Sequence, residues 1–227
     1  MNRPKVVAVM QPYFFPYAGY YRLLAAADAF VILDDVQFPR RGRVHRCEIP
    51  SLKEQREWLT LPLARQPRDT RICDLAFASD ATAAFAQRTR SLPWLAAARG
   101  AHADHLRDHL AGLVGAPIDY LHSQLDWMAD RLDLRRPQLR ASGLGLDPNL
   151  KGQSRIMAIV EALGGEVYVN PSGGRSLYDH QIFARYGLTL KFLAPYEGPF
   201  RYLLPALAAG RIDEIAVDVR AQTVMVD

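Results

Sequence analysis

The feature that most constrains this chain is a strand–helix–strand pattern over residues 6–33. Val6–Met10 is a short apolar and mostly β-branched run, which suits a buried strand. A loop containing proline and glycine follows, and an Ala/Leu-rich segment at residues 20–27 predicts a helix. Residues 30–33 form a second apolar run of the strand type. Because strands joined through a helix pair in parallel, the pattern predicts a parallel α/β sheet.

Polar side chains follow each of these two strands. Gln11 and Tyr13 come after the first strand, and Asp34, Asp35 and Gln37 come after the second. Open α/β sheets build their sites from groups just past the carboxyl ends of the strands, which parallel pairing brings to one edge. We therefore expect the first two residues to bind substrate and the other three to act in catalysis.

The two adjacent aspartates, Asp34 and Asp35, are the best candidates for a catalytic or ion-binding carboxylate pair. Neighbouring residues on an ending strand point to opposite faces, so we expect only one of them to reach a cleft. That carboxylate could act as a general base, hold a divalent cation, or clamp Arg41 or Arg46. A buried ion pair that only fixes the following loop is the alternative. Gln37 would share a face with Asp35 if the chain stayed extended.

The segment that carries these residues resembles the opening of the WbqC-like family. It reads MQPYFFPYAGYYRLLAAADAFVILDDVQFPRRG, with a Gln-Pro-Tyr-x-x-Pro-Tyr-x-Gly-Tyr run and an Asp-Asp-Val-Gln-Phe run. Weaker similarity continues at residues 58–63 and returns at residues 167–192. The family is found among bacterial surface-polysaccharide (O-antigen) clusters and some small-metabolite clusters. Where the family usually shows Trp-x-Asn-Arg after Gly42, Arg46 keeps the cation and His45 replaces the amide.

The loop between the first strand and the first helix is also similar to a nucleotide-binding loop. In nucleotidyltransferases and related adenylate-forming enzymes, a Pro-x-x-x-Gly-His loop there holds phosphates through imidazoles and helix amides. Here Tyr17 and Tyr20 replace both imidazoles, and tyrosines are poor phosphate ligands. The likeness implies a nucleotidyltransferase-like β–α–β architecture. Two interpretations of the tyrosines stay open: they bind substrate, or they pack the helix on the sheet.

The alternation of strands and helices returns in the carboxyl half. Strands are predicted at residues 138–141, 167–170 and 188–192, and helices at residues 151–163 and 178–186. Together with the amino-terminal pattern, this predicts an α/β fold with a mainly parallel sheet and flanking helices.

A helical section is predicted in the middle of the chain. Helices are expected at residues 81–91, at residues 94–113 with an interruption near Gly100, and at residues 118–132. Two strands, at residues 57–63 and 71–77, precede them. We expect these helices to pack beside the sheet as a helical subdomain, residues 81–132, within one α/β domain spanning residues 1–227.

A glycine-rich turn is the second candidate for substrate binding. Ser172, Gly173 and Gly174 follow a predicted strand and precede a predicted helix, where backbone amides can hold a phosphate or other oxyanion. Arg41 and Arg46 would add positive charge to that anion. The alternative for the turn is a tight β–α connection without a ligand.

Three histidines share one predicted helical face. His102, His105 and His109 are spaced at i, i+3 and i+7, which permits a zinc site. Their segment is otherwise charged and Ala-rich, so we interpret the face as solvated and assign no metal ligands. No cofactor is assigned.

Composition limits the class of protein. A chain of 227 residues that is 49% hydrophobic can bury one substantial core. No run reaches the roughly 18 apolar residues of a membrane span, and residues 6–10 are too short for a signal peptide. Cys47 and Cys73 are interpreted as reduced thiols, which favours a cytoplasmic protein.

The charge pattern favours a small anionic ligand. The net charge of +4 is modest, and arginines 40, 41, 43 and 46 form one dense patch beside the aspartates. A nucleic-acid track needs a broader basic face with interleaved aromatic residues, so no nucleic-acid partner is expected.

Together these features predict a small cytoplasmic enzyme, a group transferase that acts on an anionic or activated small molecule. The resemblance implies surface-polysaccharide or related small-metabolite biosynthesis. The donor could be a thioester, an aminoacyl group or a nucleotide. The alternative is a non-catalytic accessory protein that binds a nucleotide or sugar on a degenerate nucleotide-binding fold, by stacking on Tyr17 and Tyr20.

Overall fold

The buried strand at Val6–Met10 lies inside a six-stranded sheet of the structure, a computed structural model that describes residues 5–51 and 57–227. The strands are β1 (Val6–Met10), β2 (Ala29–Ile32), β3 (Arg46–Ile49), β4 (Glu57–Thr60), β5 (Gln138–Arg140), β6 (Val167–Pro171), β7 (Thr189–Leu193) and β8 (Met225–Val226). The helices are α1 (Ala18–Ala26), α2 (Ala81–Arg90), α3 (Pro93–Ala97), α4 (Ala101–Ala111), α5 (Pro117–Arg131), α6 (Gly152–Ala162), α7 (His180–Arg185), α8 (Leu203–Ala208) and α9 (Ile212–Ala221).

The sheet order confirms the predicted α/β class. The strands run in the order β5-β2-β1-β6-β7-β8, with all pairs parallel except β7 with β8. Strands β3 and β4 form a separate antiparallel hairpin. The chain moves from β1 to one side through β2 and β5, and then crosses to the other side for β6 and β7. In such doubly wound sheets, the point where the direction reverses, here between β1 and β6, is where crevices form.

Alternating side chains of the strands feed two separate cores. Ala8 and Ile32 face the core that contains α1, α5 and α9. Val9 and Val31 face the core that contains α6 and α7. Helices that connect strands in opposite directions cover opposite faces when every crossover is right-handed, so the two cores follow from the strand order.

The helical middle section is present as α2 to α5. Phe85, Leu106, Leu110 and Leu125 are at most 1% exposed and join the core that contains α1. The predicted interruption near Gly100 separates α3 from α4, and Gly100 adopts φ +91° there. Whether residues 81–132 form a subdomain within one domain stays a prediction.

Several local predictions were wrong. The strand predicted at residues 71–77 is a 3₁₀ turn at Ile72–Asp74, with single bridges from Arg71 to Gln37 and from Phe77 to Leu63. Ile72 and Leu75 are both buried, and a three-residue spacing of apolar side chains fits a 3₁₀ turn better than a strand. The strand predicted at residues 57–63 ends at Thr60. The sequence interpretation also missed β3, α8, α9 and β8.

Among the described residues, no helix is both long and apolar enough to cross a membrane.

One buried glutamine fixes the loop after β1. Phe15 adopts a left-handed φ of +36°, and its amide donates to the Gln124 side-chain oxygen on α5 at 2.9 Å. The Gln124 amide nitrogen donates to the Tyr21 hydroxyl at 3.2 Å, and Gln124 is fully buried. The glutamine therefore ties α5 to the loop and to α1.

The substitution Gln124→Leu should lower the free energy of unfolding by about 1–3 kcal/mol, because it leaves the buried Phe15 amide without a partner. Urea unfolding of the variant measures the loss. The exposed α2 residue Gln87 provides the control, since Gln87→Leu should stay within about 0.5 kcal/mol of the wild type. Equal effects of the two substitutions would contradict the role of Gln124.

Candidate functional site

A cavity of about 640 Å³ opens at the carboxyl edge of the sheet. It lies where β1, β2 and β5 end and where α6 begins. Its polar lining comes from Gln11, Asp35, Gln37, Arg71, Ser142, Lys151, Gln153, Arg155 and Tyr178. Leucine and isoleucine side chains, among them Leu33, Leu146 and Ile156, supply much of the remaining wall. An apolar pocket of this size with a few convergent polar groups is the usual form of a small-molecule site.

Asp34 is a buried acceptor that joins two strand ends. Its side chain is fully buried, and its two oxygens accept from the Ser142 amide at 2.9 Å and from the Ser142 hydroxyl at 2.7 Å. These bonds hold the 3₁₀ turn at Ala141–Gly143, just after β5, against the end of β2. Asp34 does not line the cavity, so its carboxylate would not contact a substrate bound there. Its expected catalytic role stays a prediction.

Asp35 forms a nearly buried ion pair with Arg155 of α6. The two side chains are 5% and 9% exposed. The Arg155 Nε donates to one Asp35 oxygen at 3.2 Å, and a terminal guanidinium nitrogen donates to the other. Among the alternatives left open by the sequence was a clamp on Arg41 or Arg46, and the structure places Arg155 in that position instead. Because Asp35 also lines the cavity, the pair fixes the following chain and contributes to the candidate site.

Arg155 was missed by the sequence interpretation, although the sequence carries a signal. It lies in α6 beside Ile156, Ile159 and Val160, all of which are buried. An arginine within the apolar stripe of an amphipathic helix must be paired inside the protein, since an unpaired charge is rarely buried. Its guanidinium also donates to the Asp147 carbonyl at 3.1 Å, which anchors the loop before α6.

Lys151 was also missed, and it lies at the mouth of the cavity. It directly precedes α6, whose first residues Gly152 and Gln153 line the same cavity. Its side chain is exposed, and it has no ion-pair partner within residues 5–51 and 57–227. Gly152 adopts φ +53°, a conformation that favours glycine and lets the chain turn into the helix.

Two glutamines face the cavity from different strand ends. Gln11 donates no side-chain hydrogen bond to the described part of the chain, and its backbone oxygen accepts from the Tyr20 hydroxyl at 2.8 Å. Gln37 is exposed, and its amide donates to the Arg68 carbonyl at 2.8 Å. The cavity therefore holds one amide with free bonding capacity and one that is anchored to a neighbouring loop.

The three tyrosines predicted to bind substrate lie outside the cavity lining. Tyr20 is 2% exposed, and burial raises its pKa well above the ordinary value. Tyr13 packs against Tyr20 with ring centres 5.4 Å apart, and burial raises its pKa as well. Tyr17 packs against Tyr196, also at 5.4 Å. These contacts correspond to the packing alternative for the aromatic turn.

The four clustered arginines divide into two pairs, with Arg43 and Arg46 beside the Trp58 ring and Arg40 and Arg41 in a different hollow. Arg43 pairs with Glu48 at 3.3 Å. Arg46 donates to the Gly42 carbonyl at 3.1 Å and to the Arg41 carbonyl, and its guanidinium lies 4.3 Å from the centre of the Trp58 ring. Arg40 and Arg41 are exposed and line a different hollow. Neither Arg41 nor Arg46 lines the cavity with Asp35.

The glycine turn follows β6 at the same edge of the sheet as Gln11, because β1 and β6 are parallel. Ser172, Gly173 and Gly174 begin a 3₁₀ turn at Ser172–Leu177. A Cβ at Gly174 would lie 2.7 Å from the Asn170 side-chain oxygen, so this glycine permits a close approach. The cavity is lined by the end of the turn, at Leu177 and Tyr178, rather than by these three residues.

The three histidines do not converge. His102 and His105 are exposed, while His109 stacks on Trp127 with ring centres 4.8 Å apart. Burial, with a smaller effect from Arg131, lowers the pKa of His109 to about 4. Over residues 5–51 and 57–227, no three His, Cys, Asp or Glu side chains are grouped as metal ligands. Both cysteines are free thiols, and burial raises the pKa of Cys73 to about 11.

Comparison with known proteins identifies the family. The model of the WbqC-like protein family matches residues 11–203, which include Gln11, Asp35, Lys151 and Arg155. This chain therefore belongs to the WbqC-like family. It is also 36% identical over 59 residues to the uncharacterized protein Rv1507c of Mycobacterium tuberculosis, a match that covers 26% of this chain and 25% of that protein. No solved structure matches.

Breaking the buried ion pair should destabilise the fold. Arg155→Met should lower the free energy of unfolding by about 3–5 kcal/mol, because it leaves the Asp35 carboxylate buried without its partner. The double variant Asp35→Asn/Arg155→Met should lose less than the sum of the single changes. Glu166→Gln, which removes an exposed pair with Lys5, should cost less than about 1 kcal/mol. Additive losses in urea unfolding would contradict the coupling of Asp35 and Arg155.

The His109 imidazole should make stability depend on pH. Its pKa is about 4 in the folded protein and 6.5 when unperturbed, so the unfolded state binds the proton more readily. Its contribution is therefore present above pH 6.5 and is lost as the pH falls towards 4. Between neutral pH and pH 5, the wild type should lose free energy of unfolding as the pH falls. His109→Phe should make that loss smaller by roughly 1–2 kcal/mol.

Urea unfolding at pH 7.5 and pH 5 measures this difference between the wild type and His109→Phe. The exposed His105 supplies the control, because His105→Gln should leave the wild-type pH dependence in place. If His109→Phe behaved like His105→Gln, the burial of a neutral His109 would not be a source of the pH dependence.

Proposed function

We propose that this member of the WbqC-like family is a group transferase that acts on an anionic or activated small molecule. The observation that carries the proposal is the cavity at the carboxyl edge, where Asp35, Lys151 and Gln11 converge from different elements. The gene clusters in which the family is found favour surface-polysaccharide or related small-metabolite biosynthesis, in the cytoplasm.

Lys151 is the proposed anion-binding residue of the cavity. Its ammonium group has no ion-pair partner in the described part of the chain, and the first turn of α6 begins beside it. The amides of a helix start and a nearby cation both attract a carboxylate or phosphate. The Gln11 side-chain amide adds two N–H donors and a carbonyl acceptor that can orient the ligand.

Asp35 is the proposed base or acceptor-positioning residue. A carboxylate offers about four acceptor sites, and Arg155 occupies two of them. The remaining sites can accept a proton or hydrogen bond from a hydroxyl or amine that attacks the activated donor. Arg155 holds the carboxylate in one orientation, which is the condition for useful general-base geometry.

The transferred group would come from a thioester, an aminoacyl donor or a nucleotide. In each case the nucleophile of the acceptor forms a bond to the group, the leaving group takes the bonding electrons, and Asp35 receives the proton. Gln37, at the rim of the cavity, would contact the part of the donor that extends out of it.

A non-catalytic accessory protein is the rival function. This function relied on an expected aromatic cleft formed by Tyr17 and Tyr20. Instead, Tyr17 packs against Tyr196, and Tyr20 lies within the core. Binding of a ligand without turnover would favour this rival.

A ligand screen with a matched pair of variants tests the proposal. Thermal unfolding is followed with nucleotides, nucleotide sugars and acyl-carrier thioesters, with and without magnesium. A ligand of the cavity should raise the melting temperature of the wild type. Lys151→Met should weaken binding of that ligand by about tenfold or more without changing the ligand-free melting temperature, because Lys151 is exposed and has no ion-pair partner among the described residues.

Lys5→Met removes the same charge at the amino end of β1, the opposite edge of the sheet, and should leave binding unchanged. Once a ligand is known, Asp35→Asn should abolish turnover while binding persists at a temperature where the variant is folded. Full function of Asp35→Asn in cells would show that the carboxylate has no catalytic role.

A further inference from the structure

A second concave region, separate from the cavity, is lined by arginines. Two adjoining hollows of about 610 and 370 Å³ share Phe38 and Arg40. We call them together the arginine groove, defined by the five arginines that line it: Arg40, Arg41, Arg65, Arg68 and Arg88. All five side chains are exposed.

Hydrogen bonds to backbone carbonyls hold together the segments that line the groove, which are residues 37–41, residues 60–68 and the helix α2. The Phe38 amide donates to the Thr70 carbonyl at 2.8 Å, and the Arg40 guanidinium donates to the Gln66 carbonyl at 2.6 Å. Arg88 reaches across from α2 to the Thr60 carbonyl at 2.8 Å. Because these bonds go to neutral carbonyls, they position the guanidinium groups without neutralising their charge.

The positive charge of the groove is not balanced by the described residues. Within residues 5–51 and 57–227, the five arginines form no ion pair, and no aspartate or glutamate lines either hollow. Other arginines do pair, for example Arg71 with Asp74 at 2.7 Å. The groove thus concentrates more positive charge than the whole chain's net +4. The five guanidinium groups repel one another, and an anion bound between them would relieve this repulsion. The groove should therefore attract an anionic ligand strongly.

The groove and the cavity share one lining residue, Gln37. This residue lines both the cavity and the larger hollow, and its amide is anchored to the backbone of Arg68. A molecule whose reacting end lies beside Asp35 can therefore extend past Gln37 towards Arg41 and Arg68.

We propose that the arginine groove binds the diphosphate of an activated donor whose reacting end occupies the cavity. The proposal rests on the transferase function proposed above. Guanidinium groups bind phosphate oxygens through paired N–H donors, which lysine cannot do. The hollows have the volumes of small-molecule sites, and a protein partner would instead need a contact surface of roughly 800 Å².

Two kinds of donor share this chemistry. A nucleoside diphosphate donor carries the diphosphate next to the transferred group, and an acyl-coenzyme A carries it on a long arm that ends in a thioester. Inorganic pyrophosphate, ADP and coenzyme A are therefore the probes.

Titration calorimetry at low salt, about 50 mM, measures the affinity of the full-length protein for each probe. Arg68→Ala and Arg41→Ala should each weaken pyrophosphate binding by about tenfold, since each removes a charged donor. Neither side chain bonds to the described part of the chain, so both variants should fold normally. The control Arg185→Ala removes from α7 an arginine that is also exposed and that forms no ion pair with the described residues, and it should change the affinity by less than about twofold.

The outcomes separate this proposal from the previous one. The proposed diphosphate site would be wrong if the wild type did not bind pyrophosphate. It would also be wrong if Arg185→Ala lost as much affinity for pyrophosphate as Arg68→Ala. If Lys151→Met removed pyrophosphate binding and Arg68→Ala did not, the diphosphate would lie in the cavity and the groove would again be overturned. Dependence on Arg68 but not on Lys151 supports the groove, even if the role of Lys151 in the cavity fails. Tighter Arg68-dependent binding of ADP than of coenzyme A supports a nucleotide donor, and the reverse order supports a thioester donor.

Discussion

The ion pair between Asp35 and Arg155 is the interaction on which the candidate site depends. It joins the end of β2 to α6, and α6 leads the chain across to β6 on the other side of β1. The neighbouring Asp34 holds the turn after β5 through Ser142. Two consecutive carboxylates thus fix three of the segments that enclose the cavity. Since a buried charge without its partner is strongly unfavourable, these segments are held in one arrangement.

This use of charge determines which groups remain available to a ligand. Asp34 is fully used inside the protein, whereas Asp35 keeps acceptor capacity towards the cavity. Lys151 has no ion-pair partner among the described residues, and Gln37 lines both the cavity and the arginine groove. The result is a polar path from a nearly buried carboxylate to an exposed cationic surface. Such an arrangement suits a ligand with a small reacting end and an anionic tail.

The aromatic turn shows where sequence interpretation reached its limit. The sequence left two uses open for Tyr17 and Tyr20, and nothing local distinguishes them, because a tyrosine ring suits both stacking on a ligand and packing in a core. The outcome depends on Tyr196 and on the helices that cover α1, which are distant in sequence. Similarly, Arg46 contacts Trp58 and two carbonyls of its own loop, so its cation does not reach Asp35.

The sequence by itself determined the parallel α/β class, the family, and the placement of Gln11, Asp35 and Ser172 after strands that end at one edge. Apolar periodicity and the direction of parallel strands are local properties, so they can be read without partners. Only the tertiary structure decided which polar groups meet. Arg155 is 120 residues from Asp35 and Ser142 is 108 residues from Asp34, and no local pattern encodes such pairings. They arise because β5 pairs in parallel with β2, so both strands end at the same edge, and because α6 begins at that edge before the chain crosses to β6.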